Sequence, residues 1–226
     1  MKKLSAAVLS SIFVISLTVG SSLRVSSAVI LEDCSCTAPD QSCSASASCP
    51  HGGCILQCVG QGDCLAECSG FYEMFGMETT LQLQNARYPQ LVSELARISG
   101  RDIAFSPTKP DSVFNADYKR AVLWDILDML SDRGTVQIGG KDFEKLKRIR
   151  KALLSGTKIS FCIGNTPVST FVNDMASLTG LPLRITSGRP MTLVNLKVQE
   201  VTFDELLVKV SEQTGTKIIE DPFGVQ

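Results

Sequence analysis

Histidine is nearly absent from the 226 residues: there is one, His51, beside a single tryptophan, Trp124. His51 lies in Pro50-His51-Gly52-Gly53, which is turn chemistry. It leaves no Ser–His or Cys–His pair for nucleophilic catalysis. A phosphate loop is missing too, because Gly139-Gly140-Lys141 lacks the preceding glycine spacing. After Val19 no apolar run is long enough to cross a bilayer. Lys and Arg are missing from Val25 to Ala86, where Glu32, Asp33, Asp40, Asp63, Glu67 and Glu73 fall. Asp125 and Asp128 read as exposed carboxylates, and Asp204 and Glu205 as acids favoured at a helix start. No catalytic residue, metal ligand, cofactor or small-molecule substrate is expected.

What is present begins with a secretory signal. Lys2 and Lys3 precede an apolar stretch from Leu4 to Val19, and Ser26-Ser27-Ala28 supplies small residues for cleavage after Ala28. An uncleaved anchor is the competing reading. Residues 1–28 hold three of the 22 basic residues and no acid, so the mature chain has 19 bases against 23 acids, net −4. That balance does not favour nucleic acid or an anionic membrane. Export would place the cysteines where disulfides persist.

Eight of the nine cysteines crowd into one segment: Cys34, Cys36, Cys43, Cys49, Cys54, Cys58, Cys64 and Cys68. Ser, Gly, Ala and Pro surround them, and Ile55, Leu56, Val59 and Leu65 are the few large apolar residues. A stretch this poor cannot offset its chain entropy by burial, so cross-links must substitute for a core. Four disulfides are expected, with the connectivity open. Zinc is the rival reading, but Cys54/Cys58 and Cys64/Cys68 are spaced more widely than the usual pairs. Gly53–Cys58 and Asp63–Cys68 also read as a short internal repeat, ten residues apart.

Beyond residue 78 the chain repeats itself at an offset of 80. Asn85/Asn165, Val92/Val172, Gly100/Gly180, Pro110/Pro190, Asn115/Asn195 and Leu127/Leu207 are among the identities. Leu81/Leu83 and Phe161/Ile163 alternate as strands do. Leu91, Val92, Leu95 and Ala96 make a helical stripe matched by Phe171, Val172, Met175 and Ala176. A second helix carries Leu123, Ile126, Leu127 and Leu130, or Phe203, Leu206, Leu207 and Val210. Thr202 and Glu205 form a capping box. Gly100, Gly134 and Gly215 are expected to close helices. The resulting fold class is α+β: two small β-α-β-β-α-β modules in tandem, preceded by a disulfide-rich irregular head. The boundaries are 1–28 signal, 29–77 head, 78–140 first module, 141–156 basic linker helix and 157–226 second module.

Candidate interaction residues are Trp124, off the main apolar stripe of its helix, and Lys145, Arg148 and Lys151 on the basic face of the linker. That face is a solvated surface or a dock for an acidic partner, the head itself included. Cys162 is the odd cysteine and is expected to point away from Phe161 and Ile163.

The run Asn165-Thr166-Pro167-Val168-Ser169-Thr170-Phe171-Val172-Asn173-Asp174-Met175-Ala176-Ser177-Leu178-Thr179-Gly180, with Leu181-Pro182-Leu183 after it, resembles the short N-terminal (STN, N0-type) module of secretins and TonB-dependent receptors. Thr202–Leu207 and Gln213-Thr214-Gly215 match its second half, and Leu83–Gly100 with Val113–Gly134 follow the outline more loosely. The resemblance implies a periplasmic or outer-membrane-associated protein that binds an envelope protein, such as a secretin, receptor or regulator, by strand addition or module docking. It carries over no catalytic residues. No barrel follows in this sequence, so an adaptor or accessory role is expected. The alternative is a secreted disulfide-rich structural or surface protein with the modules as spacers.

Overall fold

A computed structural model of the chain describes residues 33–49, 52–110 and 113–221. The signal segment and His51 lie outside the described residues.

Two hairpins come first. β1 (Asp33–Thr37) pairs antiparallel with β2 (Ser44–Ser48), and β3 (Cys54–Gly60) with β4 (Asp63–Cys68). The β3–β4 turn passes through Gln61-Gly62, both at positive φ (53° and 85°), as the twist of a two-residue hairpin requires. The expectation of an irregular head is thereby corrected. Cys54, Leu56 and Cys58 alternate with Ile55 and Gln57, and all five are buried. With both faces covered, the strand shows no polar side, and cysteine serves as a small apolar residue. The short cysteine repeat is in fact the two arms of one hairpin, with Cys54 opposite Cys68 and Cys58 opposite Cys64.

A 3-10 helix at Tyr72–Gly76 leads into β5 (Glu78–Arg87), α1 (Tyr88–Ser99), β6 (Ile103–Pro107), β7 (Val113–Val122), α2 (Leu123–Ser131) and β8 (Gly134–Ile138). β9 (Lys141–Asp142) and α3 (Phe143–Leu154) follow. The chain closes with β10 (Ile159–Pro167), α4 (Val168–Thr179), β11 (Leu183–Ser187), β12 (Leu193–Val201), α5 (Phe203–Thr214) and β13 (Lys217–Glu220). The fold is mixed α and β, with five α-helices among the described residues.

Helix ends follow local chemistry. Thr202 accepts the amide of Glu205, whose carboxylate takes the amide of Thr202, and this reciprocal pair starts α5. Gly100, Gly180 and Gly215 end α1, α4 and α5 in the left-handed region, at φ 63°, 77° and 64°. Gly134 does not do this for α2, whose last turn ends at Asp132 with φ −69°. Its lack of a side chain serves another purpose, because a Cβ there would strike the Ser106 carbonyl and Pro107 of β6. Gly134 lets β8 start against β6, and that contact is tertiary.

The strands form a four-stranded sheet in the order β12-β10-β3-β4, the pairs β1-β2, β5-β7 and β11-β13, and the triplet β6-β8-β9. The largest sheet therefore joins the cysteine hairpin to a strand 100 residues further on. One continuous core runs beneath it, combining Ile55, Phe71 and Phe75 with Leu91 and Leu127, with Phe143 and Ile149 of α3, and with Phe161, Phe171 and Leu206. A second, smaller apolar layer lies on the other face of the sheet, where Cys34, Cys36, Cys54, Leu56, Cys58 and Cys162 pack under the β1–β2 hairpin.

Candidate interaction site

Three disulfides tie the first hairpin to the second: Cys34–Cys54, Cys43–Cys64 and Cys49–Cys68. Alternation in β3 and β4 sends these cysteines to the face opposite Ile55 and Leu65, so the links fasten the β1–β2 hairpin over the sheet. Cys36 and Cys58 are thiols in this structure, both buried, with sulfurs 2.6 Å apart. Cys36 and Cys58 face each other in the layer that the other three links cross, Cys58 Sγ donating to the Cys36 carbonyl, and that placement suits a bond between them. Peptide mapping under non-reducing conditions is expected to find Cys36–Cys58 as a fourth linkage. Alkylation of both thiols in the oxidised native protein would count against it. The sulfurs of Cys43, Cys58 and Cys64 lie within 4.8 Å of one another, but Cys43 and Cys64 are joined, so the trio is not a set of thiolate ligands. Cys162 is buried in the same layer, facing away from Phe161 and Ile163 as alternation requires.

The basic helix α3 meets the acidic head directly. Arg148 reaches Asp63 through two nitrogens at 2.8 and 2.9 Å, the fork geometry that suits a carboxylate. Lys141 pairs with Glu67 at 3.1 Å. Lys147 turns to Asp128 (2.7 Å) and Glu144 (3.2 Å). Lys145 is half-buried and Lys151 exposed. Arg148 is thus engaged inside the chain, and the face it belongs to is a joint between α3 and the head. Trp124 is 6 % exposed. Its ring lies 5.3 Å from Phe75 and 4.9 Å from Phe143, with the Arg150 guanidinium 4.4 Å above it. It is a core residue of the same joint.

Sequence reasoning passes over Asp174. This residue is fully buried on α4, and its carboxylate accepts three amides from the start of the 3-10 helix: Gly70 at 2.6 Å, Tyr72 at 2.8 Å and Glu73 at 3.1 Å. Burial pushes its carboxyl up to about 7, against the downward pull of those amides. One signal was available. Asp174 interrupts an apolar stripe of Phe171, Met175 and Leu178, where an acid must have partners.

The sheet edges complete the picture. β3 lies antiparallel on β10, with Cys54–Cys58 running opposite Gly164–Ser160. The approach is close at its start, where a Cβ on Gly53 would meet the Gly164 carbonyl at 2.5 Å and the Thr166 Cα at 2.6 Å. From the sequence, the first strands Thr80–Gln84 and Lys158–Ile163 are both candidate edges for an added strand; the second of them is covered from Ser160 onward by the chain's own head. Thr80–Gln84 of β5 is not: among the described residues β5 pairs only with β7. The corresponding bulges coincide at the 80-residue offset. Asn85 and Asn165 take positive φ (51° and 49°), as do Arg120 and Glu200 (56° and 53°). The Asn85 amide donates to Asn115 Oδ1 at 2.7 Å, and the Asn165 amide to Asn195 Oδ1 at 2.8 Å. Asn tolerates this conformation better than most residues, which accounts for the Asn85/Asn165 identity, and the shared acceptor role accounts for Asn115/Asn195. No family model, curated protein or solved structure matches the chain.

Proposed function

We propose that the chain is an exported, non-catalytic cell-envelope adaptor, built on two copies of an STN-like β-α-β-β-α-β module, that binds other envelope proteins. The duplicated unit is supported by the common element order from β5 to β8 and from β10 to β13. Paired bulges with their asparagine acceptors support it further. Export is supported by the three disulfides, which belong in an oxidising compartment.

The observation that carries the binding role is the seating of β3 on β10. In this chain the second unit takes up an added strand along its first strand, through the backbone pairing by which exposed sheet edges accept partners. The second copy still offers the outer edge of β12, unpaired among the described residues. Exposed Met191 and Leu193 stand at its start. Large apolar side chains grouped at an open edge suit a docking partner. The shared sheet weighs against a head that works alone with the modules as spacers.

A photo-crosslinking residue at Leu193, in the full chain expressed in its own cells, is expected to give an adduct with an envelope protein of the secretin, receptor or regulator kind. Recovery of the chain from the medium, with no adduct at that position, would remove the reading.

A further inference from the structure

We infer that the edge of β5 left unpaired among the described residues is closed by β5 of a second copy of this chain, the two strands running antiparallel about a two-fold axis at Gln82. The starting point is the difference between two equivalent strands. β10 receives β3 over Ser160–Gly164, and subtracting the offset gives Thr80–Gln84. Along that segment Thr80, Gln82 and Gln84 are exposed.

An edge strand left in water is normally guarded by charge, by proline or by being very short. β5 has ten residues, and its stretch from Thr79 to Ala86 contains neither charge nor proline. Bulges and charges stand only at the two ends of the strand, and the stretch from Leu81 to Gln84 between them carries no guard of its own, which suits a strand that is paired there. The bulge at Asn85 bounds the flat part, as the one at Asn165 lies just beyond the reach of β3.

The segment also suits itself. An axis at Gln82 sets Thr80 opposite Gln84 of the second copy, and Leu81 opposite its Leu83. Leu81 is buried and Leu83 half-buried against the core, so the pairing joins the two cores on the inner face. On the outer face Thr80, Gln82 and Gln84 carry no charge; Gln82 Nε2 donates to Asp117 Oδ1 on β7 at 3.0 Å, and its second amide hydrogen and Oε1 can hydrogen-bond across the axis. At the ends stand opposite charges, Glu78 and Arg87. Antiparallel pairing brings each toward its complement on the other chain, with the bulge taking up one residue. Glu78 already pairs with Arg120 at 3.0 Å, and both are exposed, so the exchange costs little. Such a contact is isologous and closes at two chains.

The inference rests on the repeat, not on the envelope reading, and its tests use the full mature chain. Light scattering after size-exclusion chromatography is expected to give the mass of two chains. Gln82→Lys sets like charges across the axis and is expected to give one-chain mass, as is Gln82→Glu. Mixing these two variants is expected to restore the two-chain mass. Gln82→Cys is expected to form a disulfide-linked dimer, because directly opposed Cα atoms roughly 4.5–5.5 Å apart lie within disulfide reach. Thr80→Cys, which faces Gln84 and not itself, is expected to give none. One-chain mass for the unaltered protein overturns the dimer, and with the Leu193 adduct retained it overturns the dimer alone. Equal linking of the Gln82→Cys and Thr80→Cys variants overturns the register. If removing residues 222–226 turns one-chain mass into two-chain mass, the edge belongs to that tail, and the inference is overturned as well.

Discussion

A chain beginning at Met77 is expected not to fold. The sequence alone suggests that residues 78–226 stand by themselves, but the core contains Ile55, Leu65, Phe71, Tyr72, Met74 and Phe75 from the segment removed. Burial of each such side chain contributes about 1.5–3 kcal/mol, so their loss removes on the order of 10 kcal/mol. A domain of this size has a net stability of roughly 5–15 kcal/mol. The deletion also strips β3 from β10, exposing Phe161 and Ile163 beside an unpaired edge, and takes Asp63 and Glu67 from Arg148 and Lys141. Trp124 reports the outcome as the sole tryptophan, since it packs against Phe75 in the intact chain. The truncated protein should show red-shifted fluorescence and no cooperative urea transition. A soluble fragment with a blue-shifted Trp124 and a sharp transition would refute the shared core.

That prediction depends on contacts that local pattern does not reveal. The stripe of Leu91 and Leu95, the capping box at Thr202 and Glu205 and the glycines after α1, α4 and α5 are each decided within one or two helical turns, so the sequence displays them. Strand β8 follows from alternation, with Val136 and Ile138 buried and Thr135 and Gln137 exposed. β3 is different. Its residues are buried on both faces, Gln57 included, because the sheet is covered on both, and counting cysteine as a cross-linker conceals that it fills space. Nothing in Cys54–Cys58 names Ser160–Gly164 as its neighbour, since pairing across 100 residues leaves no periodicity in either strand. The basic face of α3 is legible as charge, yet its destination depends on where Asp63 and Glu67 come to rest. Trp124 shows the same limit. Its position off the main stripe is visible, and the rings of Phe75 and Phe143 that enclose it come from the segments before and after its own unit.

Asp174→Ala is expected to lower stability by about 3 kcal/mol at pH 5, where the folded chain keeps its carboxyl protonated. Three amides at the start of the 3-10 helix lose their acceptor, and a buried donor left unpaired costs about 1–3 kcal/mol. Water reaching the end of the helix limits the sum. Tyr72 and Phe75, which that helix carries into the core, would loosen with it. At the same pH Asp174→Asn keeps one acceptor oxygen and the volume, so a smaller loss, about 1 kcal/mol, is expected. The two variants differ again in their response to pH. The Asp174 carboxyl lies near 7 in the folded chain, against an ordinary value of 3.8. Between those values the folded protein holds a proton that the unfolded chain has released. Stability is therefore greatest at the acid end of this window and falls as pH rises, by up to about 1.4 kcal/mol per unit. Above about 7 the decline stops, because both states are then ionised. Urea midpoints at pH 5 and pH 8 should separate for the unaltered protein, while Asp174→Asn, having no proton to exchange, should flatten this difference. Parallel pH dependence in the two proteins would show that the buried carboxyl does not titrate in this window. An unchanged midpoint for Asp174→Ala would show that the contact between α4 and the 3-10 helix stands without the cap.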